Sequence, residues 1–160
     1  MKRALFFWIQ FVFVLSCLAQ SSDVDFDALD SLIATTPEID LCKKDGKEDL
    51  RFFTKTPEKY SNYKQEFMLQ AADAFVFDSK SHFHCDITVE INCEGKAGNY
   101  NFAIEPRTFN QEDFENFRQL IVLIYKLRNY AFKPAIYLGE NVNSKVKFRL
   151  AAKDGTPVMQ

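Results

Sequence analysis

The ligand chemistry of this chain is concentrated in one five-residue run, His82-Phe83-His84-Cys85-Asp86, which holds both of its histidines. Side chains alternate between faces along a strand, so His82, His84 and Asp86 share one face while Cys85 points to the other. A three-ligand site that includes the thiol is therefore awkward, and the run reads as the solvated start of a strand with no metal assigned. No nucleophile elbow, glycine-rich phosphate loop or HExxH motif occurs. With both histidines in one place, general acid–base catalysis has no evident candidate. No catalytic residue and no cofactor is assigned, and the expectation is a protein that is not an enzyme.

The cysteines carry a second line of chemistry. Met1-Lys2-Arg3 precedes a run from Ala4 to Leu15 that is apolar except for Gln10. This is the positive n-region and apolar h-region of a secretory leader. Residues 4–19 fall short of the roughly 20 needed to span a bilayer as a helix. Two cleavage sites compete. Ala19 before Gln20 gives a leader of residues 1–19. Val14-Leu15-Ser16-Cys17 is instead similar to a lipoprotein box, with leader 1–16 and Cys17 as a lipid-modified first residue. Either way the expectation is export, to the periplasm or cell envelope, with membrane attachment only through such a lipid.

In an oxidising compartment Cys42, Cys85 and Cys93 are then available for pairing. Cys85 and Cys93 lie on one strand about 26 Å apart at ~3.3 Å per residue. A disulfide requires Cα atoms about 4.4–6.8 Å apart. Any bridge therefore joins Cys42 to Cys85 or to Cys93. Loss of Lys2 and Arg3 with the leader leaves 18 basic residues against 22 acidic ones, a net charge of −4. That balance argues against a nucleic-acid partner. Seventeen phenylalanines point to an aromatic-rich core.

The elements around these residues are legible from periodicity. Cys85, Ile87, Val89, Ile91 and Cys93 alternate with Asp86, Thr88, Glu90 and Asn92, as a half-buried strand requires. Gly95 and Gly98 supply a reversal, and Tyr100, Phe102 and Ile104 form a second alternating run that Pro106 closes. Asn110-Gln111-Glu112-Asp113 reads as a helix start with acidic residues in its first turn. Phe114, Phe117, Ile121, Ile124 and Leu127 continue it as one apolar stripe. After a turn at Gly139-Glu140-Asn141, Val142, Val146, Phe148 and Leu150 point inward while Lys145, Lys147 and Arg149 point outward. The expected fold class is α+β: a β-β-α-β antiparallel sheet with one helix packed across it, preceded by helical segments.

Upstream, residues 20–82 read as a helical preface. Phe26, Leu29, Leu32 and Ile33 mark a short amphipathic helix, and residues 43–49 form a charged turn. Thr56-Pro57-Glu58 opens a further helix carrying Tyr60, Tyr63, Phe67, Ala71 and Phe75 to about Asp78. The main domain is placed at residues 83–156. The carboxy-terminal residues from Asp154 read as a frayed tail, with 157–160 outside the domain.

The run from Cys85 to Thr156 resembles the C-terminal domain of TonB, the periplasmic energy transducer, and in particular its free-standing variants in Bacteroidota. The resemblance rests on the strand before Cys93 and on Glu94-Gly95 leading into a second strand. It continues in the aromatic-x-aromatic-x-Pro set Tyr130, Phe132 and Pro134, then Gly139 and the strand 142–150. It covers a little under half the chain. No Tyr-Pro pair precedes the first strand, and the five prolines are scattered rather than gathered in a linker built for reach. The resemblance implies a module that binds protein by β-strand addition at an exposed edge, strand 142–150, with an outer-membrane receptor segment as partner. Lys145, Lys147 and Arg149 on such an edge would discourage self-pairing and favour an acidic segment. The alternative is a stand-alone secreted protein or lipoprotein with a structural or inhibitory role and no energy transduction.

Overall fold

The computed structural model describes residues 24–49, 57–78, 80–105 and 108–160. The leader, Cys17, Thr56 and Pro106 lie outside the described residues.

The alternation of residues 84–91 builds the centre of the molecule. Strand β3 (His84–Ile91) buries Cys85, Ile87, Val89 and Ile91 on one face. It follows α1 (Phe26–Ile33), a two-residue hairpin of β1 (Lys43–Lys44) and β2 (Lys47–Glu48), and α2 (Tyr63–Ala74). After it come β4 (Ala97–Ala103), α3 (Gln111–Leu127), a small hairpin of β5 (Ala135–Tyr137) and β6 (Glu140–Val142), then β7 (Ser144–Lys153) and β8 (Thr156–Met159). The main sheet has the order β4-β3-β7-β8, antiparallel throughout. The protein is thus mixed α+β with antiparallel sheets, as its periodicity indicates.

Helix α3 starts where Asn110 can cap it. The Asn110 side chain accepts the Asp113 amide at 3.0 Å, and the Asp113 carboxylate accepts the Asn110 amide at 3.0 Å. This reciprocal box satisfies two donors that a helix start otherwise leaves open. Its apolar stripe places Phe117, Leu120, Ile121, Ile124 and Leu127 in the core.

Three helices share that core rather than one, α1 through Leu29. α2 buries Tyr63, Phe67 and Ala71, and its rings reach the sheet: Phe67 lies 5.3 Å from Phe148, and Tyr63 lies 4.7 Å from Phe132 between ring centroids. Each such side chain contributes about 1.5–3 kcal/mol through burial, against about 0.5–1.5 kcal/mol from ring pairing. Burial dominates. Residues before and after position 82 thus belong to one hydrophobic cluster.

Three expectations are corrected here. The helix expected from Pro57 begins at Tyr63, because the amides of Glu58 and Lys59 donate to the Ile136 carbonyl and tie this stretch to β5 instead. The carboxy-terminal residues are not a frayed tail: Asp154 and Gly155, both at positive φ, turn the chain so that β8 pairs with β7. It follows that β7 is an edge strand only in part. β3 flanks it over Ser144–Ala151 and β8 over Leu150–Lys153, with Arg149 and Gln160 exchanging main-chain bonds at 3.1 and 2.9 Å, while residues 144–148 have no strand on the β8 side among the described residues.

Candidate functional site

One edge of the sheet is β4; the other is β8 together with residues 144–148 of β7, which β8 leaves uncovered and which carry Lys145 and Lys147, charges that discourage strand pairing. Main-chain direction follows from the register. Ala152 donates to Phe83, so even-numbered residues of β7 bond towards β3, and odd-numbered ones towards β8. Pro157, opposite Ala152, then faces outward on β8, where it has no N–H to offer. A short edge with proline at an outward position is a blunted edge.

On β4 the outward residue is Phe102. Ile87 bonds to Phe148 of β7, so the main chain of its other neighbour, Phe102, points away from the sheet. No described residue pairs with its N–H or carbonyl. Nor does β4 carry charge: its sequence is Ala-Gly-Asn-Tyr-Asn-Phe-Ala. Tyr100 and Phe102 pack towards the core, with Phe102 meeting the edge of Phe117 at 5.1 Å, while Asn101 and Ala103 are exposed.

The first half of this edge is already taken by the chain itself. A bulge opposite Val89 puts Asn99 at φ 53°, and its amide donates to the Pro37 carbonyl at 2.9 Å. The Asn99 side chain accepts from Ile39 at 3.0 Å and donates back to Ile39 at 3.1 Å. Gly98 is required beneath this strap, since a Cβ there would sit 2.8 Å from Ile39 and from the Pro37 carbonyl. Residues 37–39 thus lie along the edge much as a bound segment would, and stop short of Phe102.

The strap is anchored by Cys42–Cys93, with Cα atoms 5.9 Å apart. Beside it, fully buried Asn143 accepts from the amides of Cys42 (2.9 Å) and Cys93 (3.2 Å) and donates to the carbonyls of Cys42 and Asp49, both at 2.9 Å. Asn92 adds a bond to the Asp40 carbonyl. The third cysteine, Cys85, is buried in the core. Burial, with Asp86 adjacent, pushes its thiol up to about 12, so it stays protonated.

Two of the three cations on the wet face of the sheet are neutralised within it. Arg149 makes two hydrogen bonds to Asp86, at 2.6 and 2.7 Å, and Lys145 lies 3.1 Å from Glu90. The Arg149 hydrogen bonds, reinforced by its charge, hold the Asp86 carboxyl below the usual range despite some desolvation. Of the three cations expected to face an acidic partner, Lys145 and Arg149 therefore have carboxylates of β3 opposite them. Lys147 stands opposite Thr88.

Past the far end of β4, the wet face opens into a cavity of about 490 Å³. It is lined by Lys80, His84, Glu105, Phe109, Glu112 and Asp113 among others. Burial raises the Asp113 carboxyl, opposed by the Asn110 amide and, more weakly, by His84 and His82. His84 is exposed on this face while Cys85 turns to the core. The described residues contain no group of three His, Cys, Asp or Glu placed to hold a metal ion.

The residues of the TonB-like motif lie together at the other end. The Phe132 amide donates to the Gly95 carbonyl at 2.9 Å, and a side chain at Gly95 (φ 82°) would collide with the Phe132 carbonyl. The Tyr130 ring lies tilted against Phe132 at 4.8 Å and its hydroxyl donates to Glu66, Pro134 precedes β5, and Gly139 sits in the β5–β6 turn. These positions lie away from Phe102 in sequence and register. Among family models, curated proteins and solved structures, none matches this chain.

Proposed function

We propose that this protein is an exported binding module, free of catalysis, that captures an extended segment of a partner protein on the open part of β4. The observation that carries this reading is the outward main chain of Phe102 on an uncharged edge, next to a strap that already bonds to the same edge. Strand addition takes its affinity from such main-chain groups and its selectivity from alternate side chains. The Cys42–Cys93 disulfide supports an oxidising compartment, and hence an export leader, ending at residue 19 or at residue 16. The succession β3, β4, α3, β7 has the connectivity that a TonB-like domain implies, which supports a periplasmic or envelope partner such as a receptor segment. The capture strand moves in this reading from 142–150 to β4.

A photo-crosslinking residue placed at Ala103, and separately at Thr156, tests it in cells. Both positions are exposed, one beside each edge. The expected result is an envelope-protein adduct from position 103 and none from 156. Adducts from 156 alone, or equally from both, would contradict it.

A further inference from the structure

The partner's charge can be argued from the surface that flanks β4, and this rests on β4 being the capture edge. An extended segment added beyond Phe102 continues alongside Ile104 to Glu105, where the acidic cavity begins. Glu105 follows β4 directly. Its carbonyl accepts the Phe109 amide at 3.1 Å, which folds the connection back into α3 and brings Glu112 and Asp113 to the same cavity. Neither Glu105 nor Glu112 has an ion-pair partner among the described residues. Three carboxylates thus face Lys80 and the imidazoles of His82 and His84, with the ring of Phe109 alongside.

Among the described residues of the flanking surface, Lys147, opposite Thr88 and two strands in from the β4 edge, is the cation with no carboxylate opposite it. The strand itself is uncharged, and the nearby cations Lys145 and Arg149 already have Glu90 and Asp86. The whole chain is also net negative, at −2. We infer that the captured segment is basic: an extended stretch of alternating apolar and polar residues that carries lysine or arginine where it passes Ile104 and reaches the cavity of Glu105 and Glu112. The apolar positions would lie beside Tyr100 and Phe102, the polar ones beside Asn101 and Ala103. A cation over Glu105 also meets the Phe109 ring, which favours it further.

The probe is a phage-displayed library of random nine-residue peptides, selected on the mature, disulfide-bonded protein and on its Glu105→Gln, Glu112→Gln double variant. Both substitutions are at exposed positions, so the variant is expected to keep the fold, checked by circular dichroism. Selection on the parent should enrich lysine and arginine. The enriched peptides should bind the double variant about tenfold more weakly, a gap that narrows as salt is raised. Exchange of the Phe102 amide, followed for each selected peptide, separates the two levels of the argument. Peptides that protect Phe102 but show no basic enrichment overturn the charge inference and leave the capture edge standing. Peptides that leave Phe102 exchange unchanged, or no enrichment over bare beads, overturn both.

Discussion

Phe102 and Pro157 hold equivalent outward positions on opposite edges of one four-stranded sheet, and only Phe102 has an N–H to present. With Lys145 and Lys147 on the part of β7 that β8 leaves uncovered, that asymmetry makes β4 the uncharged, donor-bearing edge of the sheet. Its consequences, and those of the disulfide-anchored strap beside it, are open to measurement.

The strap depends on its covalent anchor. Mass spectrometry of the unreduced digest should find Cys42 joined to Cys93, with Cys85 unpaired. The bridge spans a sequence separation of 51, and its loss in a Cys42→Ser, Cys93→Ser variant should cost about 2–4 kcal/mol, read from denaturant unfolding. A Cys42–Cys85 peptide would contradict the arrangement.

Asn143 should matter more than its small size suggests. Its truncation in Asn143→Ala removes four hydrogen bonds to main-chain groups of Cys42, Asp49 and Cys93; the Cys42 carbonyl keeps the Asp49 amide and the Cys93 amide keeps Cys42 Sγ, so the cost falls chiefly on the Cys42 amide. A buried group left unsatisfied costs about 1–3 kcal/mol. Asn143→Asp should be as damaging, because a carboxylate would face two carbonyls that now accept hydrogen bonds. Equilibrium unfolding of both variants is the check. An Asp variant as stable as the parent would contradict the assigned bonds.

Cys85 should be inert in the folded protein. Burial and a thiol held near 12 leave almost no thiolate at pH 8. Iodoacetamide should label nothing in the native protein and one site after unfolding in guanidinium without reductant.

The Asp86–Arg149 pair gives a pH dependence of known sign. The folded carboxyl titrates below its unfolded value of about 3.9. Its stabilisation is therefore complete above that value and is lost as pH falls through the lower, folded one. The pair is exposed, so the effect is small. Comparing acid unfolding of the parent with Asp86→Asn should show a shallower loss of stability below pH 4 in the variant.

Much of this architecture is legible in the sequence because its signals are local. The alternation through Ile87, Val89 and Ile91, the box at Asn110 and Asp113, and the inward set Phe148 and Leu150 depend only on neighbours along the chain. The cysteine spacing narrows the bridge to two pairings, and the fold selects Cys93 because residues 37–42 cross the end of the β3–β4 hairpin. The edge is only partly legible for a physical reason: β8 covers the end of β7 and leaves residues 144–148 open on that side. Which strand lies outermost is a tertiary property, and β8 is four residues long with a glycine and a proline in its vicinity, a composition that fits a tail equally well. Asn99 and Asn143 were invisible for a similar reason. Asparagine in a loop reads as turn chemistry, and only long-range contacts reveal it as a tie between distant segments. Lys145 and Arg149 read as available because their carboxylate partners are cross-strand rather than adjacent in sequence.

Amide hydrogen exchange at Phe102 tests capture on β4 most directly, with the photo-crosslinked partner's segment supplied as a peptide. The account predicts that Phe102 passes from rapid exchange to strong protection when the segment binds, while Met159 on the opposite edge is unchanged. Unaltered exchange at Phe102, with protection appearing at Met159 or along α3, would contradict it.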